Sequence, residues 1–202
     1  MKKQIVALSC LCPLTSMAAF YDFEDRSAGT NAANVYPGLT ITNGNATGTV
    51  SVGSTIFWAE TLNGFQVSDN AALSWSGTKT LYTDSLVDTL IRFDTAVSNV
   101  SIQSDPGTPE NPDIIRLIGM KAKANPGEFD VLVFNEIFDN GTTLGTTLLQ
   151  FGIGTGVDYV LLQSTTENEA WDNLSTAAVP EPISLAALSA GIVCLIRRKS
   201  RS

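Results

Sequence analysis

The chain has 202 residues, room for one domain of ordinary size with extensions at its ends. Hydrophobic residues make up 44% of it and charged residues 16%, a balance that builds a core and excludes intrinsic disorder. Histidine is absent, which removes every mechanism that needs an imidazole base, metal ligand or pH switch.

Lys2 and Lys3 precede an apolar run, 5–14, and the small residues Ser16, Met17, Ala18 and Ala19 follow. This is the layout of a secretory signal peptide over 1–19, cut after Ala18 or Ala19. An amphipathic first helix is the competing reading, but 5–14 offers no polar face. From Gly38 onward, runs rich in β-formers alternate with turn residues, at 38–42, 48–52, 55–58, 64–67 and 72–75, then at 88–93, 100–102, 114–120, 129–134, 147–151, 158–162 and 171–174. Asn43-Gly44-Asn45, Asn125-Pro126-Gly127 and Asp139-Asn140-Gly141 carry turn chemistry, and no long run between the two ends repeats at helical spacing. About a dozen strands with nothing helical between them predict an all-β, jelly-roll-type β-sandwich over 20–178.

Cys10, Cys12 and Cys194 all lie in the end segments, so the domain has no disulfide, and at its size it needs none. Between 20 and 178 there are 19 acidic and 6 basic side chains, a net charge of −13. That balance excludes nucleic acid as a partner, while it favours solubility and attracts divalent cations.

At the carboxyl end, Val179-Pro180-Glu181-Pro182 is followed by fourteen uncharged residues, 183–196, and by the cations Arg197, Arg198, Lys199 and Arg201. Pro182 is suited to begin a new helix but not to continue one. Fourteen residues of helix span about 21 Å, short of a hydrocarbon core of about 30 Å. The cationic cluster nevertheless reads as a cytoplasmic stop, with long side chains snorkelling to relieve the mismatch. Proline break, apolar helix and basic end resemble the PEP-CTERM sorting signal of Gram-negative bacteria that make exopolysaccharide, over 179–202. The resemblance implies an exosortase as processing partner, transient passage through the inner membrane, removal of the tail, and delivery to the cell surface, extracellular matrix or biofilm. A plain single-pass anchor is the alternative.

Inside the domain, Phe23-Glu24-Asp25, Gly38-Leu39, Ile91-Arg92-Phe93-Asp94, Asp113-Ile114-Ile115-Arg116-Leu117 and Trp171-Asp172-Asn173-Leu174 resemble the β-sandwich ectodomain often found before such a tail. The opening and closing segments are also similar to galactose-binding-like carbohydrate-binding modules. That resemblance implies neighbouring first and last strands and a structural calcium, with Asp22, Glu24, Asp25 and Asp172 as candidate ligands. Clustered carboxylates without histidine or cysteine suit calcium rather than zinc, and solvated strand-end carboxylates are the competing reading. The acidic, proline-rich stretch 104–113 is a rim loop, stiff connection or binding loop. Sugar rings pack on aromatic faces, so Trp58, Trp75, Tyr36 and Tyr82 are the candidate ligand contacts, although alternation places Trp58 and Trp75 equally well in a core. Catalysis without histidine or cysteine leaves a carboxylate pair that cleaves glycosides, and Glu128, Asp130 and Glu136 are the nearest approach to one. The sequence therefore points to a non-enzymatic surface or matrix protein that adheres to extracellular polysaccharide. A structural or protein-interaction role without a small ligand is its rival, and a glycoside hydrolase comes third.

Overall fold

The computed structural model describes residues 18–61, 66–69, 79–82, 87–105, 113–139, 147–165 and 170–179, which belong to one compact unit, Ala18–Val179. The expected apolar helix, Trp75, Pro180, Glu181 and Pro182, the basic stop and most of the expected signal peptide lie outside the described residues. The strands are β1 (Ala18–Tyr21), β2 (Leu39–Thr47), β3 (Thr55–Glu60), β4 (Gln66–Asp69), β5 (Lys79–Tyr82), β6 (Asp88–Asp105), β7 (Asp113–Ala122), β8 (Glu128–Asp139), β9 (Thr147–Gln163) and β10 (Ala170–Ala178). All their pairings are antiparallel, and no helix occurs among the described residues.

Two long strands organise the molecule. β6 and β9 pair with each other along both halves, but the ladder breaks between Arg92 and Asn99 on β6, opposite 152–159 on β9. Gly156 sits at this break with φ +69°, a conformation that glycine adopts without a Cβ penalty. Both strands turn a corner there and serve two layers, as strands that switch sheets do. The first halves of β6 and last residues of β9 join β2, β3, β8 and β7 in a closed hydrogen-bonded ring: β2 pairs β3, β3 pairs β8, β8 pairs β7, β7 pairs β9, β9 pairs β6, and β6 returns to β2. The other halves form the second layer with β10, whose far edge carries β5 at Ala170 and Trp171 and β1 at 174–177; β4 pairs with β5. The first and last strands are therefore neighbours, and the domain is an all-β antiparallel sandwich with one layer rolled into a ring.

Alternation along the shared strands produces two cores. One fills the space between the layers, with Ile91, Leu117, Val160, Leu162, Leu149, Phe151 and Trp171 among its members. The other, Ile56, Leu90, Ile118, Met120, Phe129, Val131 and Leu161, lies on the opposite face of the same strands and is enclosed by the ring. Each such side chain removed from water is worth about 1.5–3 kcal/mol.

Three local expectations need correction. Residues 48–52, expected as a strand, are the β2–β3 connection: Gly48 (φ +131°) and Gly53 (φ +83°) bend the chain, and Ser54 Oγ donates to the carbonyls of Thr49 and Ser51. Asn43-Gly44-Asn45, expected as a turn, lies within β2, where Gly44 is needed because a Cβ would come within 2.7 Å of the Trp58 indole. The strands are also not all short, since 88–93 and 100–102 are one strand, as are 147–151 and 158–162.

Candidate functional site

The outward face of the second layer carries a groove of about 590 Å³. Its floor follows from ladder register. One row runs Gln150 on β9, Ser101 on β6, Ser175 on β10 and Phe20 on β1; the next runs Gly152, Asn99, Ala177 and Ala18. Because side chains alternate, the neighbours Val100, Ile102, Leu149 and Phe151 point the other way, into the core, and leave amides, hydroxyls and small residues outside. The smallness is functional in shape: a Cβ on Gly152 would stand 2.6 Å from Asn99 Oδ1, so the asparagine side chain lies across the glycine. Asn99 Nδ2 donates to Ser98 Oγ at 3.4 Å. Beyond the first row, Asn173 Nδ2 donates to Gln103 Oε1, extending the amide surface. Phe20, 61% exposed, stands beside this floor on β1, and Leu148, 48% exposed, stands on the same face of β9. Hydroxyls and amides offer both donors and acceptors, and an exposed ring offers an apolar plane, the combination that holds a polyol.

The four aromatic residues expected to contact ligand are not gathered here. Tyr36 is 5% exposed and packs edge-on against Phe23 (5.4 Å between centroids) and Tyr21 (6.1 Å), with the Arg26 guanidinium 5.5 Å from its ring centre. Burial, and then the charge of Asp25, push its hydroxyl far above the usual tyrosine range, so Tyr36 is a core residue and not a sugar platform. Trp58 is half-buried against the core inside the ring. Tyr82 pairs through its backbone with Gln66 and Ala170, and Trp75 lies outside the described residues. Phe20, which sequence reasoning missed, carries a weak signal: it shares parity with Ala18, but both fall at the expected signal-peptide cut.

The candidate calcium ligands each have a protein partner. Asp22 Oδ1 accepts from the Glu24 amide (3.2 Å), Glu24 Oε1 accepts from the Lys79 amide (2.6 Å), and Asp25 pairs with Arg26 (3.5 Å). Asp172 is fully buried, and its Oδ1 accepts from the Asn173 amide at 2.7 Å. Among the described residues no group of three or more Asp, Glu, Cys or His side chains is placed to hold a metal. Backbone geometry accounts for the closing motif instead. Asn173, at φ +52°, adds one residue to β10 against β6, so Trp171 and Leu174 enter the same core although they are three apart.

The acidic stretch 104–113 joins β6 to β7, and its central residues 106–112 lie outside the described residues. The three carboxylates weighed for glycoside cleavage are held by donors: Glu128 by Asn125 Nδ2 (3.0 Å), Asp130 by Lys123 (3.5 Å) and Glu136 by Arg116 (2.5 Å). A further carboxylate, Asp88, lies on β6 in the ring, and its Oδ2 accepts from the Ala46 amide at 2.7 Å. Burial pushes its pKa up more strongly than the Ala46 amide, Gln163 and Arg116 pull it down. The folded protein thus holds this proton more tightly than the unfolded chain does, so the group's contribution to stability grows as pH falls through the window just above the ordinary aspartate value and is lost as pH rises through it. Asp88→Asn should raise the melting midpoint at neutral pH, and that advantage should shrink on acidification; thermal melts of both proteins across pH 4–7 check it (about one midpoint per pH unit suffices).

No protein-family model matches the chain, and no curated protein matches it. Among solved structures it is similar to the K2 cleaved adhesin domain of Lys-gingipain (14% identity, 79% of this chain and 99% of that one, TM-score 0.49). It is also similar to the C-terminal family 22 carbohydrate-binding module of Clostridium thermocellum Xyn10B (13% identity, 80% and 92%, TM-score 0.46). A third likeness is to the CBM22-1 xylan-binding domain of Paenibacillus barcinonensis Xyn10C (12% identity, 83% and 97%, TM-score 0.47).

Proposed function

We propose that this chain is an exported, non-catalytic protein that binds extracellular polysaccharide on the outward face of β9, β6, β10 and β1. The observation that carries the reading is the groove itself: an amide and hydroxyl floor built from four strands, with the exposed ring of Phe20 in register with Ser175 and Ser101. The signal-peptide pattern at 1–19 and the sorting pattern at 179–202 would deliver it to the cell surface or matrix, with an exosortase as the processing partner; a cut after Ala18 or Ala19 takes Ala18 from the groove and leaves Phe20 and Tyr21 of β1 beside Ser175 and Leu174. Calcium is no part of this reading.

The test is affinity electrophoresis and calorimetry of residues 18–179 with soluble xylan, β-glucan and galactomannan. At least one polymer should retard the protein. Phe20→Ala and Asn99→Ala should each weaken that binding about tenfold, which is about 1.4 kcal/mol, without shifting the melting midpoint. Unretarded mobility in every polymer, or unchanged affinity in both variants, sinks the reading.

A further inference from the structure

We infer that the glycan taken by this face is neutral, and that carboxylated or sulfated polysaccharides are refused; this rests on the glycan reading of the groove. The two ladder rows carry no charged side chain, although 25 charged residues lie between 20 and 178; in the row beside them the ladder partner of Gln103 is Asp172, a fully buried carboxylate and of the sign that repels an anion. Four of the six cations of that span are engaged elsewhere. Arg26 lies against Asp25 and Tyr36, Lys79 donates to the Glu24 carbonyl, Arg116 pairs with Glu136, and Lys123 pairs with Asp130.

The polar groups of the floor are neutral and two-way. Gln150 and Asn99 each carry a carbonyl oxygen and an NH2 group, Gln103 and Asn173 are bonded to each other and keep the floor polar and uncharged, and Ser101 and Ser175 each donate and accept. A sugar hydroxyl also does both, so it pairs with any of them. A carboxylate only accepts, and on this floor it would give up water for neutral donors with no counter-charge, a cost that an ion recovers only when it is paired. The field of the domain acts in the same direction, because a net charge of −13 repels a polyanion before contact. Phe20 and Leu148 add exposed apolar surface on the same face, which suits the C–H faces of sugar rings and not their charged substituents.

The experiment uses one neutral glucan and the same glucan carboxymethylated, so that only charge differs. The neutral polymer should bind at least tenfold more tightly. Its affinity should stay constant between about 0.05 and about 0.5 M salt, while any residual affinity for the charged polymer should rise as repulsion is screened. Gln150→Lys, at an exposed position, should narrow or reverse the preference, and Ser175→Lys is a second placement of the same charge on the floor. Equal or tighter binding of the carboxymethylated polymer, or neutral binding that falls with salt, overturns the inference and leaves the glycan reading standing. Binding of neither polymer, with xylan and galactomannan also unbound, overturns both.

Discussion

Replacing Trp171 with alanine should cost about 3–5 kcal/mol of folding stability, the range for removing a buried aromatic side chain. Among the described residues Trp171 is the largest fully buried side chain, and it is 1% exposed. The cavity left behind has little means of closing. Trp171 is laddered to Ser104 of β6 on one edge and to Leu81 of β5 on the other, so the backbone around it is fixed on both sides. Its core neighbours belong to strands of both layers, and no single element can shift inward to fill the space. In a domain of this size each kcal/mol moves the midpoint by about 2–4 °C, so a fall of roughly 6–20 °C is expected in a near-ultraviolet circular dichroism melt. A loss under about 1 kcal/mol would show that Trp171 is not packed in the core as described.

Gly119→Ala should cost about 1–3 kcal/mol for one added methyl group. The built Cβ stands 2.6 Å from Phe151 Cζ, 2.7 Å from Val133 Cγ1 and 3.0 Å from Val157 Cγ1. Those three contacts come from β9 and β8, and all three side chains are already packed in or against the core between the layers. Relief for one is therefore compression for another. Gly154→Ala is the control, because nothing lies within 4 Å of its Cβ and the residue is exposed. Chemical denaturation of both variants should separate them, with Gly154→Ala within about 0.5 kcal/mol of the parent. Equal losses would mean that the Gly119 site can relax.

Much of this fold was legible in the sequence because alternation is a local signal. The runs at 114–120 and 129–134 fall inside β7 and β8, joined at Asn125-Pro126-Gly127 as the turn chemistry predicted, with Gly127 at φ +78°. What local pattern could not show is what distant chain supplies. Gly44 looks like a turn residue until Trp58 is laid over it from β3. Thr49, Val50, Ser51 and Val52 alternate like a strand, yet the chain bends there because glycines on both sides adopt positive φ. β1 was missed because four residues at the end of an apolar leader carry no pattern of their own, and its partner, β10, lies more than 150 residues along the sequence.

The site was harder still. Its floor is an alignment of residues 18, 99, 150 and 175 with their neighbours, and only register brings them side by side. Serine, asparagine and glutamine on separate strands read singly as ordinary solvent-facing positions. The bulky aromatic residues drew attention, but Tyr36 is buried by the segment between β1 and β2, and Trp58 is largely taken up by the ring. Trp171-Asp172-Asn173-Leu174 was legible as a landmark; its work is to put an odd-numbered spacing of apolar residues on one face.

The pairing of the first strand with the last has one more implication. Ala18 lies opposite Ala177, and two residues later the Val179 amide donates to the Ala96 carbonyl at 3.2 Å, so the polypeptide enters and leaves this domain at a single corner. Topologically the sandwich is a loop closed by hydrogen bonds in place of a peptide bond. Which strand counts as first is then an accident of where the loop was opened, and the architecture would be the same for a chain spliced at that corner and begun at the Gly127 turn.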